Sequence, residues 1–284
     1  MIDSKTYLPF VIIIGIVSVS FAGPVTSLIE MPPPAIAFVR LSLSFFILLP
    51  FFIKRCISGF VPTKRLLKFS FLSSIFLALH FVFWIASLHY TSVTSSVVLV
   101  TTNPLFVSVL SFFLLKEKAG KRVMFAVLVV IVGGVIISSG EEVSNLRLKG
   151  NLLALCGAIM ASLYIITGRR VRQEYSLVEY TTILYFFASL NLFLVVMFFK
   201  IKVCGYPLDY YLLVLFLAIV PQLLGHNAFN WALKYLSSTN VAMLILFEPI
   251  GATILSYLMF GYIPSFNEVI GSIFILIGIL ISVI

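Results

Sequence analysis

Long runs of apolar residues, cut by charged residues and by Pro/Gly punctuation, follow one another along the whole chain. Ten runs predict membrane-spanning helices at about 7–27, 35–53, 66–88, 92–115, 122–139, 150–168, 178–199, 210–233, 238–260 and 267–284. A spanning helix needs about 20 apolar residues. Lipid offers no hydrogen-bond partner, so segments this continuous satisfy their backbone groups only as helices; barrel strands would alternate apolar and polar positions, and these do not. The expected fold is therefore all-α and integral to the membrane. Ten spans consume most of the 284 residues and leave no room for a soluble domain.

The pattern repeats. A shift of 145 residues without a gap lays Leu88-x-Tyr90-x-Ser92-x-Thr94 on Leu233-x-Tyr235-x-Ser237-x-Thr239, Asn103-Pro104 on Glu248-Pro249, Leu110-Ser111 on Leu255-Ser256, and Gly133 on Gly278. Chance aligns apolar residues in any two membrane segments, but not these polar and Pro/Gly positions together. The reading is one five-helix unit used twice, at 1–140 and 148–284. Because five is odd, the second copy enters the membrane from the opposite side, giving ten transmembrane helices in two inverted repeats. Inverted repeats recur in secondary transporters, where the substrate site lies near the midplane between the halves.

Composition agrees: 61% of residues are hydrophobic and 10% charged, against roughly 45–50% and 25% in a soluble domain. The net charge of +9 would point to nucleic acid in a soluble protein; here it reads as loop charge, and no nucleic-acid partner is expected. With the N-terminus inside, the cytoplasmic segments carry fourteen Lys and Arg residues and the outer ones four (Arg147, Lys149, Lys200 and Lys202), leaving Arg40 within a span. The positive-inside rule then places both termini in the cytoplasm of a cell (inner) membrane. Ser20-Phe21-Ala22 before Gly23 fits a signal-peptidase site. Asp3 beside Lys5 argues against cleavage there, as does the loss of symmetry that removing the first span would cause. The three scattered cysteines imply neither a disulfide framework nor a metal site.

An ionisable residue inside a span is costly and marks a candidate functional site. Arg40 and Glu248 are the two. Arg40 lies about six residues inside the second span, where it either binds an anionic group, pairs across helices, or snorkels to the interface. Glu248 precedes Pro249 near the centre of the ninth span; the proline frees a carbonyl one turn back, so carboxyl group and loosened backbone share one locale. The alternatives there are a protonatable or cation-recognising site and a helix-to-helix hydrogen bond supporting the kink. Asn103-Pro104 is the symmetry mate, and Pro104 and Pro249 are candidate hinges. Polar stripes at helical spacing surround these positions: Ser73, His80, Trp84 and Ser87 on the third span; Gln222, His226 and Asn230 on the eighth; and Ser92, Ser95, Thr102 and Asn103 on the fourth. Such residues line either a helix seam or a cavity; taken together they favour a cavity, with Tyr164, Tyr185, Trp84 and Trp231 as aromatic candidates for its wall. Gly271 and Gly278, with Ala126 and Gly133 in the other half, are packing stripes that join either the two halves or two protomers.

The chain has no H-E-x-x-H, no G-x-S-x-G and no G-x-x-x-x-G-K-[ST]. A catalytic set, a bound metal and a cofactor are not expected, and a gradient or exchange must drive any transport.

Ten helices in inverted halves, Arg40-Leu41 in the second span, and a polar-Pro step in spans four and nine resemble the drug/metabolite transporter superfamily, and within it the ten-helix EamA type. Glu117 matches the acidic residue that commonly ends the family's fourth helix; Gly133 and Gly278 match its mid-helix glycines. Tyr262 stands where many members repeat the acidic residue, and Val17-Ser18 where many carry Trp-Gly. The resemblance implies export or uptake of a small metabolite, often an amino acid or related compound, through a central cavity in the bilayer. The predicted pathway comprises Arg40, His80, Trp84, Asn103, Tyr164, His226, Asn230 and Glu248. The competing readings are a membrane-embedded enzyme on a lipid-linked substrate, with His80, His226 and Glu248 as acid and base, and an accessory membrane subunit.

Overall fold

The structure is a computed structural model that describes residues 7–115, 121–139 and 145–283. Among these residues every regular element is a helix. In order they are α1 (Leu8–Ser20), α2 (Ala22–Thr26), α3 (Pro33–Ile57), α4 (Lys64–Ser87), α5 (Val93–Val100), α6 (Asn103–Leu115), α7 (Lys121–Ser139), α8 (Asn145–Arg172), α9 (Leu177–Phe198), α10 (Leu208–Leu217), a π-helical stretch (Ala218–His226), α11 (Asn227–Ala232), α12 (Ser238–Ile245), α13 (Glu248–Phe260) and α14 (Phe266–Val283). Among the described residues eight runs are long and apolar enough to cross a membrane. With α7 and the shorter apolar helix of α14 they make up the ten expected spans. Glu117 lies outside the described residues.

Several helices overrun their apolar windows. The sixth span runs Asn145–Arg172 rather than 150–168 because its terminal arginines, Arg147 and Arg172, are buried against protein rather than released to water. The departures inside spans matter more. Where sequence reading gives kinked helices, the fourth and ninth spans are broken. α5 stops at Val100 and α6 restarts at Asn103; α12 stops at Ile245 and α13 restarts at Glu248. At each gap the helix tightens into three-residue steps, Thr102 N donating to Leu99 O at 3.2 Å and Leu246 N to Met243 O at 3.2 Å. Pro104 and Pro249 fall in the first turn of the restarted helices, where a missing N–H leaves no intrahelical bond unmade. The eighth span instead widens: Pro221 interrupts the regular ladder, and nine residues around it are π-helical.

Lipid tails are as apolar as leucine, so helices associate here through close packing rather than escape from water. α7 packs along α14. A Cβ built on Gly133 would come within 2.7 Å of the Gly271 carbonyl oxygen and 2.8 Å of Ile275. The small-residue stripes therefore join the two halves within one chain. The first span is built in likewise, a Cβ on Gly15 meeting that of Ala228 at 2.8 Å.

Gly133→Val should cost about 1–3 kcal/mol, the usual penalty of overpacking, read as a lower thermal midpoint in detergent. Gly134→Ala, where the nearest atom to a new Cβ is 3.7 Å away, should leave that midpoint unchanged.

Candidate functional site

Both breaks open on one cavity. It lies between spans one, three, four, six, eight and nine, with Thr101 and Asn103 contributed by one break and Ile245 and Glu248 by the other. Seven of the eight predicted pathway residues line it: His80, Trp84, Asn103, Tyr164, His226, Asn230 and Glu248. The eighth, Arg40, stands behind this wall. It neither snorkels nor lines the cavity: it is fully buried, with Nε donating to Gln222 Oε1 at 3.0 Å and the guanidinium 4.3 Å above the Phe81 ring. The π-helical turn carries both Gln222 and His226, so the distortion at Pro221 presents an acceptor to Arg40 and a ring to the cavity.

The polar residues form a connected wall. Phe81 meets His226 edge-on at 5.4 Å between centroids; His226 lies 6.4 Å from His80; His80 stacks on Trp84 at 6.2 Å with planes 5° apart. His80 Nδ1 sits 3.0 Å from the Gly157 carbonyl oxygen. A carbonyl only accepts, so Nδ1 carries the proton and the neutral ring keeps Nε2 as an acceptor. Arg40 and Glu248 are within electrostatic reach of one another. Tyr185 is buried but bonds Asn227 Oδ1 at 2.7 Å, and Trp231 packs on Tyr235, so neither walls the cavity.

Several buried polar atoms here have no hydrogen-bond partner in the protein: both Nη atoms of Arg40, Trp84 Nε1, Asn103 Oδ1 and Gln222 Nε2. Each such group costs roughly 1–3 kcal/mol while unsatisfied; of these atoms, Trp84 Nε1 and Asn103 Oδ1 belong to cavity-lining residues, so a guest offering an acceptor to the first and a donor to the second gains by entering.

Sequence reading missed a second set of buried charges, at the ends of the spans. Arg147, Arg172, Glu179 and Glu268 are buried rather than being loop charges. Glu179 and Glu268 each close a reciprocal cap at a helix start, with Ser176 and Ser265 respectively. The S-x-x-E spacing in the sequence signals both. Glu179 also accepts from Arg55 at 2.6 Å, and Glu268 lies 3.6 Å from Arg147. Arg172 Nε donates to the Asn230 carbonyl at 2.9 Å, and Arg169 and Gln173 donate to that of Leu233, satisfying the last carbonyls of the eighth span. In the connection between α13 and α14, burial and the bond to Glu268 push the Tyr262 phenol up to about 12, so it stays a donor. No group of three or more His, Cys, Asp or Glu that could hold a metal ion occurs among the described residues.

A membrane bundle with broken spans around a polar-walled central cavity is an arrangement that recurs among membrane transporters. The chain belongs to the EamA-like transporter family, within the drug/metabolite transporter superfamily; the family model matches residues 7–139 and again 148–284. It is 29% identical to an uncharacterized transporter of Clostridium kluyveri over 199 residues, covering 68% of this chain and 64% of that protein. It is 26% identical to an uncharacterized transporter of Archaeoglobus fulgidus, over 99% of this chain and 98% of that one, and 24% identical to the uncharacterized transporter YyaM of Bacillus subtilis, over 68% and 65%. The chain thus spans slightly under two thirds of the Clostridium and Bacillus proteins. A solved structure described only as a crystal structure of a protein superposes with a TM-score of 0.71 at 16% identity, over 98% of this chain and 96% of that one, and shows the fold. The family and the relatives' names indicate a multi-pass membrane transporter.

Gln222→Met strands the Arg40 Nε–H in the interior and should lower the thermal midpoint in detergent. Arg40→Met on the same background should recover part of the loss, because an apolar pair of similar size leaves less buried charge unmatched. Additive losses in the double variant would show the pair uncoupled.

Proposed function

We propose that this transporter moves a small polar organic metabolite, an amino acid or related compound, by alternating access through the central cavity. The observation that carries the reading is the set of unpartnered buried donors and acceptors around two opposed helix breaks. Groups of both signs accompany them: Glu248, on the cavity wall, takes a cationic group, while Arg40, behind Phe81 and Gln222, supplies positive potential for an anionic one without lining the cavity. A solute carrying a carboxylate and an amine complements that arrangement, and Trp84 and His80 offer ring faces to its remainder. Pro104 and Pro249 serve as hinges, since each sits where its span has already lost helical continuity. We place both termini in the cytoplasm of the inner membrane on the Lys/Arg bias.

Reconstitution in proteoliposomes and counterflow of candidate metabolites tests the reading. Glu248→Gln should abolish or decouple counterflow while leaving membrane insertion intact; transport with unchanged rate and pH dependence would remove Glu248 from the mechanism. For the topology, a C-terminal green fluorescent reporter expressed in a bacterium should be bright. A dark reporter on a well-inserted chain would reverse the orientation.

A further inference from the structure

The two ends of the bundle are not equivalent. Spans four, six and ten begin at one end, and there Glu268 is wholly buried with both oxygens occupied. Oε1 accepts from the hydroxyls of Ser92 and Ser95, the latter at 3.0 Å; Oε2 accepts from the Tyr262 hydroxyl at 2.7 Å and the Ser265 backbone N–H at 2.8 Å. Arg147 Nη2, at the start of α8, completes the group at 3.6 Å. One carboxylate thus ties together the starts of α5, α8 and α14, where positive helix-dipole ends favour an anion. Ser92 is itself the cap of α5, accepting from Ser95 N at 3.1 Å.

The repeat supplies an internal control. The same shift of 145 residues carries Ser92 to Ser237, Ser95 to Asn240, and Glu268 back to Val123. Ser237 still caps its helix, accepting from Asn240 N at 3.1 Å, but both residues are exposed. The sequence provides no carboxylate for them at the mate position. The two caps thus differ in what covers them: Ser95 is buried against Glu268, whereas Ser237 and Asn240 are exposed.

A second, largely apolar cleft runs from Glu268 and Thr94 to Leu246 and Pro249 at the ninth-span break. Thr101 lines both this cleft and the central cavity, and the ninth-span break gives Leu246 and Pro249 to the first and Ile245 and Glu248 to the second, so the two breaks partition them. Parting α5 from α14 would connect the central cavity to that end of the protein.

We propose that Glu268 is a gate latch: its bonds to Ser92 and Ser95 hold one end of the pathway closed, and they must break for the cavity to open there. The inference rests on the alternating-access reading but is tested separately from it. In nanodiscs, on a chain with Cys56, Cys156 and Cys204 replaced by Ala, Thr94→Cys sets a single thiol in the cleft; the Thr94 hydroxyl has no bonding partner to lose. It should react slowly with a membrane-impermeant thiol reagent, and Ser237→Cys quickly. Adding Glu268→Ala should raise the Thr94→Cys rate about tenfold by shifting population to the open form, with Ser237→Cys unaffected. Should Glu268→Ala fail to fold, Ser92→Ala with Ser95→Ala removes the latch bonds while keeping the Ser265 cap, and should raise labelling several-fold. A lower thermal midpoint with unchanged Thr94→Cys labelling makes Glu268 a structural cap only and overturns the latch. Labelling that rises while no metabolite shows counterflow keeps the latch and sinks the transport reading; counterflow with unchanged labelling does the reverse.

Discussion

A peptide group inside a bilayer must find its hydrogen bond within the protein, and that requirement determines where this molecule interrupts its helices. Thr101–Thr102 and Leu246–Phe247 are irregular backbone at membrane depth, tolerable because Thr101, Thr102 and Leu246 are buried in protein and the broken turns still bond three residues back. Everything polar in the centre is organised around those two gaps. They set Asn103 and Glu248 at the first residue of a restarted helix, beside the cavity. The π-helical turn at Pro221 belongs to the same economy: widening the helix keeps its backbone bonded while turning Gln222 toward Arg40 and His226 toward the cavity.

The centre and the ends solve the problem of buried charge differently. At the centre, Arg40 keeps both Nη atoms without a protein partner and has Gln222, Phe81 and the more distant Glu248 as company. At the ends, carboxylates are fully engaged: Glu179 by Ser176 and Arg55, Glu268 by four donors and Arg147. A group with spare valence suits a guest, and a group with none suits a joint. The repeat makes the distinction sharper, because Ser237 has the same capping role as Ser92 yet has Val123 where Ser92 has Glu268.

Much of this was legible from one sequence. Apolar run length gave the spans, and the 145-residue shift exposed Asn103 and Glu248 as equivalent positions. Helical spacing then put His80 with Trp84, and His226 with Asn230, on faces that line one cavity. What escaped has physical reasons. A proline next to a polar residue signals a weakened helix, but whether that helix bends, breaks or widens depends on neighbours: spans four and nine break, and span eight widens. Arg147 and Arg172 were counted as loop charge because windows of hydropathy end where charge begins, although both helices continue into protein. Glu268 was visible as the fourth residue of Ser265-x-x-Glu268, a local cap; that the same carboxylate also reaches Ser92 is tertiary.

The location of each charge also constrains how a transport cycle could run. Breaking a buried ion pair by removing one partner is strongly unfavourable because it strands a charge in low dielectric. Glu268 and Arg147 sit at the end of the bundle, so parting α5 from α14 would bring water to them as their serine bonds break. Arg40 and Glu248 have no such refuge at mid-depth. In the proposed cycle their environment can change only if the solute, or a proton on Glu248, compensates them. Motion is then favoured at the ends, where water replaces lost bonds, while α7 and α14 stay closely packed where Gly133 faces Gly271. The energetics therefore favour rocking about a fixed, charged centre over any path that carries Arg40 or Glu248 through the bilayer.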